Sequence, residues 1–119
     1  MARILVAEDD QFTRELVQRA LQADGHEVKI TGDGSEALDA FEEGLPYDLV
    51  ITDVEMPNLD GLTMVESILA KNADQKIIIM SGLADELTKA RALLSPSVRM
   101  ITKPVTLEKI RGEANELLD

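Results

Sequence analysis

Three short, nearly unbroken apolar runs constrain this chain more than any other feature: ILVA at 4–7, LVIT at 49–52 and IIIM at 77–80. A run of four or five such residues bounded by turn formers reads as a strand buried on both faces, the mark of parallel strands covered by helices on either side. VKIT at 28–31 alternates instead and reads as an edge strand. Between these runs the spacing is helical, and each change of pattern falls at a cluster of Gly, Pro or Asp. Strands are predicted at 3–7, 27–31, 49–52, 76–80 and 98–101, each followed by a helix.

The helices follow from capping signals and apolar faces. The first, 11–24, places Phe12, Leu16, Val17, Ala20 and Leu21 on one face and stops at Gly25. Asp33 and Glu36 make a capping-box-like start to the second, which turns Ala37, Leu38 and Phe41 inward. The third presents Met64, Val65, Ile68 and Leu69. The fourth, 85–94, ends before Ser95-Pro96, because proline disfavours helical geometry at the residue before it. The fifth starts after Thr106 and presents Leu107, Ile110, Ala114 and Leu117. Gly112 inside it costs about 1 kcal/mol relative to alanine, and the sequence offers no reason for it.

Five βα units with right-handed crossovers leave few topologies. The predicted architecture is an α/β, three-layer flavodoxin-like (βα)5 sandwich with a parallel five-stranded sheet in the order 2-1-3-4-5. At 119 residues it is expected to form one domain over 1–119 with no output domain.

Composition narrows the functions. Twelve basic against 23 acidic side chains give a formal charge of −11, which repels nucleic acid phosphate and anionic lipid and favours cations or basic partner surfaces. No nucleic acid and no membrane partner is expected, and the longest apolar run is far short of the ~20 residues a membrane helix needs. With no cysteine there is no thiolate metal site and no cysteine nucleophile. A cytoplasmic location is the expectation, since the chain enters an apolar strand at once without the pattern of a secretory signal.

Ligands of such sheets bind beyond the carboxyl ends of the strands. The residues placed there are Glu8, Asp9 and Asp10, then Thr31, Gly32 and Asp33, then Asp53, Ser81 with Gly82, and Lys103 with Pro104. Adjacent acids are no commoner than the composition gives, so position carries the signal rather than pairing. Carboxylates following directly on buried strands that face one another raise each other's pKa, which protonation or a hard divalent cation relieves. Oxygen-only ligands with room for water and phosphate suit Mg2+. A carboxylate nucleophile beside such a cation, with a lysine and a hydroxyl to receive phosphoryl oxygens, is equipment for phosphoryl transfer. The competing reading is an acidic rim with Lys103 as a surface salt bridge.

The same residues resemble the receiver domain of two-component response regulators, CheY-like, over the whole chain. ILVAEDD is similar to the family's first strand and acidic pair, LVITDVEMPNLDG to the strand and loop around the phosphoacceptor, IIIMSG to the hydroxyl strand and ITKP to the lysine strand. The resemblance implies Asp53 as phosphoacceptor and as a metal ligand, with Asp9 as a direct Mg2+ ligand. Glu8 would act mainly through water, and Glu55 through its backbone carbonyl. It implies that Ser81, with Gly82 beside it, and Lys103 receive the phosphoryl group, that Lys103-Pro104 is a cis peptide, and that Asp10 caps a helix. The implied donor is a phosphohistidine on a histidine kinase or histidine phosphotransfer protein, and the implied output is contact with a downstream protein target.

Two departures stand out. Met100 occupies the switch position where the family usually has Tyr or Phe, and Val105 with SPSVRM replaces the usual pattern around the fifth strand. MARILVAEDD, SG and KPV are similar to single-domain receivers of the CpdR kind, which would imply adaptor control of regulated proteolysis. No enzymatic activity is expected beyond self-phosphorylation and self-dephosphorylation. The alternatives are a phosphate shuttle or sink within a phosphorelay and, more remotely, an aspartyl-phosphate phosphatase. His26 is expected to be a solvated loop side chain, Met56 and Met64 to pack in the core or a loop, and Lys89 and Arg91 to lie on a solvated face.

Overall fold

The computed structural model describes residues 1–119 other than Leu45 and Leu83, with backbone alone at 84–87. Its elements alternate: β1 (Arg3–Ala7), α1 (Gln11–Ala23), β2 (Glu27–Thr31), α2 (Gly34–Glu43), β3 (Leu49–Asp53), α3 (Gly61–Lys71), β4 (Ile77–Ser81), α4 (Ala84–Arg91), β5 (Val98–Thr102) and α5 (Leu107–Leu118). All strand pairs are parallel and the sheet order is β2-β1-β3-β4-β5. The predicted flavodoxin-like topology is therefore the observed one.

The period of two along each strand divides its side chains between two layers. Ile4, Val6, Leu49, Ile51, Ile78 and Met80 pack with Val17, Ala20 and Leu21 of α1 and Ile110, Ala114 and Leu117 of α5. Leu5, Ala7, Val50, Ile77 and Ile79 pack on the other side with Ala37 of α2, Met64, Val65 and Ile68 of α3, and Ala90 of α4. Strands β1, β3 and β4 are buried almost throughout, whereas β2 alternates as an edge strand does. Four helices have side-chain N-caps: Asp10, Asp33, Asp60 and Thr106 each accept from the backbone N–H three residues on.

The structure corrects several local expectations. Phe12 is 76% exposed and Leu107 44% exposed, so neither belongs to its helix's buried face. Both sit in the first turn of a helix that starts at the carboxyl end of a strand, where the sheet has little apolar face left to cover them. Leu16 is half-buried, and Leu38, Phe41 and Leu69 pack against the core while staying partly exposed. Helix α4 stops at Arg91, not Leu94, and Leu93 and Leu94 turn back with i→i−3 bonds to Ala90 and Arg91. The chain must be extended by Ser95, which bridges Val98 and whose Oγ accepts from the Ser97 and Val98 N–H groups. Strands β3, β4 and β5 each end one residue later than predicted, because the ladder continues through Asp53 opposite Met80 and Ser81 opposite Thr102, and β4 begins at Ile77 rather than 76.

Candidate phosphoryl-acceptor site

Strands β1 and β3 are adjacent, so their carboxyl ends bring Glu8 and Asp53 together. Glu8 follows β1 directly, and its N–H donates to the Thr31 carbonyl at 3.1 Å. That bond keeps the β1–β2 ladder going and leaves the side chain fully buried. Asp53 ends β3 at 6% exposure, with Oδ1 accepting from the Val54 N–H at 2.8 Å. Asp9 is exposed, and one carboxylate oxygen from each of Glu8, Asp9 and Asp53 lies within 4.8 Å of the other two.

Lys103 reaches into this group from the end of β5. Its Nζ donates to Glu8 Oε1 at 3.2 Å and stands 3.0 Å from Asp53 Oδ2. Its backbone N–H donates to the Ser81 carbonyl at 2.8 Å, and its aliphatic stem lies against Gly82. The Lys103–Pro104 peptide is cis, and Ser81 is fully buried at the end of β4. Glu55, exposed, is two residues beyond Asp53, and Met100 is half-buried against the α2, α3 and α4 layer.

The charge balance is uneven: three carboxylates face one ammonium. Burial, then the charge of Asp53, pushes the Glu8 pKa up to about 7 despite the opposing pull of Lys103. For Lys103 burial works the other way, but the hydrogen bond to Asp53 and the charge of Glu8 outweigh it and raise its pKa. The donor set is all oxygen and negative by two, the chemistry that a hard divalent cation such as Mg2+ fits. Asp10 is outside this group. Its Oδ2 accepts from the Thr13 N–H at 2.9 Å and the Thr13 hydroxyl at 2.7 Å, and those two bonds hold its pKa below the usual carboxylate range.

The Response regulator receiver domain model matches residues 4–115. This chain is a receiver domain of the response regulator family. It is 35% identical over 110 residues to the chemotaxis protein CheY of Treponema pallidum, covering 91% of this chain and 76% of that one. It is 33% identical to the response regulator MprA of a Mycobacterium strain over 98% of this chain and 50% of MprA, so the receiver spans about half of that relative. Among solved structures, TrrA of Thermotoga maritima, determined in complex with Mg(2+)-BeF, superposes with a TM-score of 0.87 at 33% identity, covering 99% of this chain and 100% of that one.

Some residues of this receiver escape sequence reasoning. Arg14, one helical turn beyond Asp10, donates from its guanidinium to the Glu8 carbonyl at 3.1 Å and so braces the acidic strand end. Thr52, wholly buried, donates to the Asp53 carbonyl at 2.9 Å. Asn58 has φ 69° and ties the loop after Asp53 to Asp33. The only signal for Asn58 is its residue type, since Asn tolerates left-handed geometry. His26 contradicts its expected solvation: Nδ1 accepts from the Ala2 N–H at 3.1 Å, and Nε2 is buried without a hydrogen-bond partner among the described residues. The turn at His26 closes onto Ala2 just before β1, which its position in the sequence does not reveal. Met64 is buried, Met56 packs against the core, and Lys89 and Arg91 are exposed.

Proposed function

We propose that Asp53 accepts a phosphoryl group from a phosphohistidine donor and that the acyl phosphate so formed changes which proteins this receiver binds. One observation carries the reading: a nearly buried strand-end carboxylate, still reachable, held by a lysine and lying within 4.8 Å of two further carboxylates. A carboxylate oxygen of Asp53 attacks phosphorus while the P–N bond to the imidazole breaks. The bonding pair leaves with the imidazole nitrogen, which is then protonated from solvent. Lys103, already 3.0 Å from Asp53 Oδ2, is placed to pair with a phosphoryl oxygen as negative charge moves toward the acid cluster. Ser81 offers a hydroxyl at the adjacent strand end, and Gly82 leaves the space beside the Lys103 stem open. Glu8, Asp9, Asp53 and the Glu55 carbonyl would hold Mg2+, which supplies neutralisation of the phosphoryl oxygens.

The donor in this reading is a histidine kinase or histidine phosphotransfer protein, and the chain acts in the cytoplasm without nucleic acid or membrane. No described helix is long and apolar enough to cross a membrane. Output is a change of protein contact, with adaptor control of proteolysis of the CpdR kind as its finer form. The only chemistry on the chain itself is gain and loss of its own phosphoryl group. Met100, half-buried against one core layer, supplies a flexible side chain at the switch position.

Intact mass after incubation with a small phosphodonor tests this, for wild type and Asp53→Asn, with Mg2+ and with a chelator. One phosphoryl adduct is expected, dependent on Mg2+ and absent from the variant. An adduct that persists in Asp53→Asn would overturn the assignment. Rapid return of phosphate to a phosphotransfer protein, without any state-dependent partner, would identify a shuttle or sink instead.

A further inference from the structure

The loop between β3 and α3 carries Glu55, and the structure fastens this loop at three places. At its root the Gly61 N–H donates to the Val54 carbonyl at 2.8 Å, and the Asp53 carbonyl comes so near that a Cβ on Gly61 would stand 1.8 Å from its oxygen. Toward its far end the Leu59 carbonyl lies over Gly34, where a Cβ would stand 2.0 Å from the oxygen. Between these, Asn58 Nδ2 donates to Asp33 Oδ2 at 2.9 Å. Asp33 is also the N-cap of α2, its Oδ1 accepting from the Glu36 N–H at 2.7 Å. One carboxylate therefore holds a helix start with one oxygen and the loop with the other.

The bend at Asn58 is not what the chain adopts unaided. A left-handed conformation costs a non-glycine residue about 1 kcal/mol or more, least for Asn and Asp. The bond to Asp33 offsets that cost. The Glu36 N–H, then the Asn58 amide, hold the Asp33 pKa below the usual carboxylate range, so the acceptor stays ionised at neutral pH.

We infer that Asp33 and Asn58 are positioning residues for the divalent cation, clasping the 54–60 loop in the bend from which the Glu55 carbonyl serves as a ligand. Neither residue belongs to the acidic group of Glu8, Asp9 and Asp53. The inference rests on the Mg2+-dependent reading above and adds to it what holds the backbone ligand in place. Preorganisation of this kind raises affinity by removing the cost of ordering the loop when the cation arrives.

The test is calorimetric titration of Mg2+ into wild type, Asn58→Gly, Asp33→Ser and the double variant. Glycine adopts positive φ freely, so Asn58→Gly removes the amide without opposing the bend. Serine remains a good N-cap, so Asp33→Ser removes the second acceptor without undoing α2. Each single variant is expected to weaken Mg2+ binding about tenfold, the low end of what outer ligand-positioning groups cost. The double variant should lose no more than the singles, because both cut one tie. Faster amide hydrogen exchange over 54–60 in chelator, with exchange in the β-strands unchanged, is the accompanying expectation. Asn58→Asp is the second variant should the first not fold: it keeps left-handed tolerance, sets two carboxylates against each other, and should weaken Mg2+ as well. Wild-type affinity in the folded single variants, or additive losses in the double, would overturn the clasp while leaving the Mg2+ site standing. Absence of Mg2+ binding by wild type would overturn both.

Discussion

At the amino end of the sheet Asp48 accepts from the Arg3 N–H at 2.8 Å, Arg3 donates to the Pro46 carbonyl at 2.9 Å, and Gln75 donates to the Tyr47 carbonyl at 3.1 Å. At the carboxyl end Glu8 and Asp53 share the single ammonium of Lys103, and Asp9 crowds both. The strands are the same at either end, yet one end pairs side chains with backbone while the other concentrates charge beyond what its partner balances. Burying a carboxylate beside another one costs stability, and Glu8 with its pKa near 7 records that cost. Such an arrangement makes physical sense where a further cation completes it. The contrast therefore locates function at the carboxyl end without reference to any relative.

The sharpest break of the contrast comes from backbone packing. Gly61 and Gly112 are both helical, and in an exposed helix Gly→Ala gains about 1 kcal/mol. At Gly61 the new Cβ meets the Asp53 carbonyl oxygen at 1.8 Å, and backbone cannot move aside as a flexible side chain does. Gly61→Ala is expected to cost about 3 kcal/mol, in the range of severe overpacking, with Mg2+ binding lost alongside. Urea unfolding in chelator measures the first and titration the second. A variant as stable as wild type would mean the loop root is not packed as described.

The second break is a pH profile of the metal-free protein. Glu8 ionises near 7 when folded and at its ordinary value of 4.5 when unfolded. Between those values the folded state holds more protons, so stability falls as pH rises from 4.5 through 7 and is level above. The expected fall is on the order of 3 kcal/mol. Glu8→Gln should remove this slope and leave the variant more stable than wild type at pH 8, a gain seen only in chelator. A wild-type stability that rises through the same window would place the charge strain elsewhere.

How much of this was legible in the sequence differs between backbone and side chain. ILVA, LVIT and IIIM declare their strands because a doubly buried strand has almost no polar position to confuse the period, and the crossover rule leaves few sheet orders, of which the commonest at this size is the observed one. Glu8 and Asp53 were legible because a charge at the carboxyl end of such a strand has one place to go; Lys103 was legible from the resemblance of ITKP, since β5 is only partly buried. Phe12 was not: helical spacing assigns it a face, but the face stops at the last turn that has sheet beneath it. Helix α4 was overrun because Pro96 marks where a helix cannot be, while the Ser95–Val98 bridge decides where it ends. Asn58 and Asp33 are 25 residues apart in sequence, and no local pattern announces a bond between them.

Gly112 gives the next, smaller effect and the opposite sign to Gly61. A Cβ there meets nothing within 4 Å. Gly112→Ala should stabilise by about 1 kcal/mol through helix propensity alone. The structure provides no packing reason for this glycine. A destabilised Gly112→Ala would show that α5 is not regular through this position, and the Gly61 result would lose its control.

The smallest effect is expected at Phe12, at one end of α1, with Val17 further along the helix as its reference. Val17 is wholly buried against Ile4 and Val6, whereas Phe12 is 76% exposed at the crevice end. By side-chain size alone Phe12→Ala would be the more damaging change. By burial it should cost less than about 0.5 kcal/mol, as exposed substitutions usually do, against about 2 kcal/mol for Val17→Ala, where methyl groups leave a filled core. Equal losses, or a larger one at Phe12, would return this ring to the core and move the start of the buried face a full turn toward the acids. A negligible loss confirms that the crevice end of α1 lacks support from the sheet, and that the helix is anchored by its second and third turns and by the Asp10 cap. The first turn is then held by the Asp10 bonds to Thr13 rather than by packing.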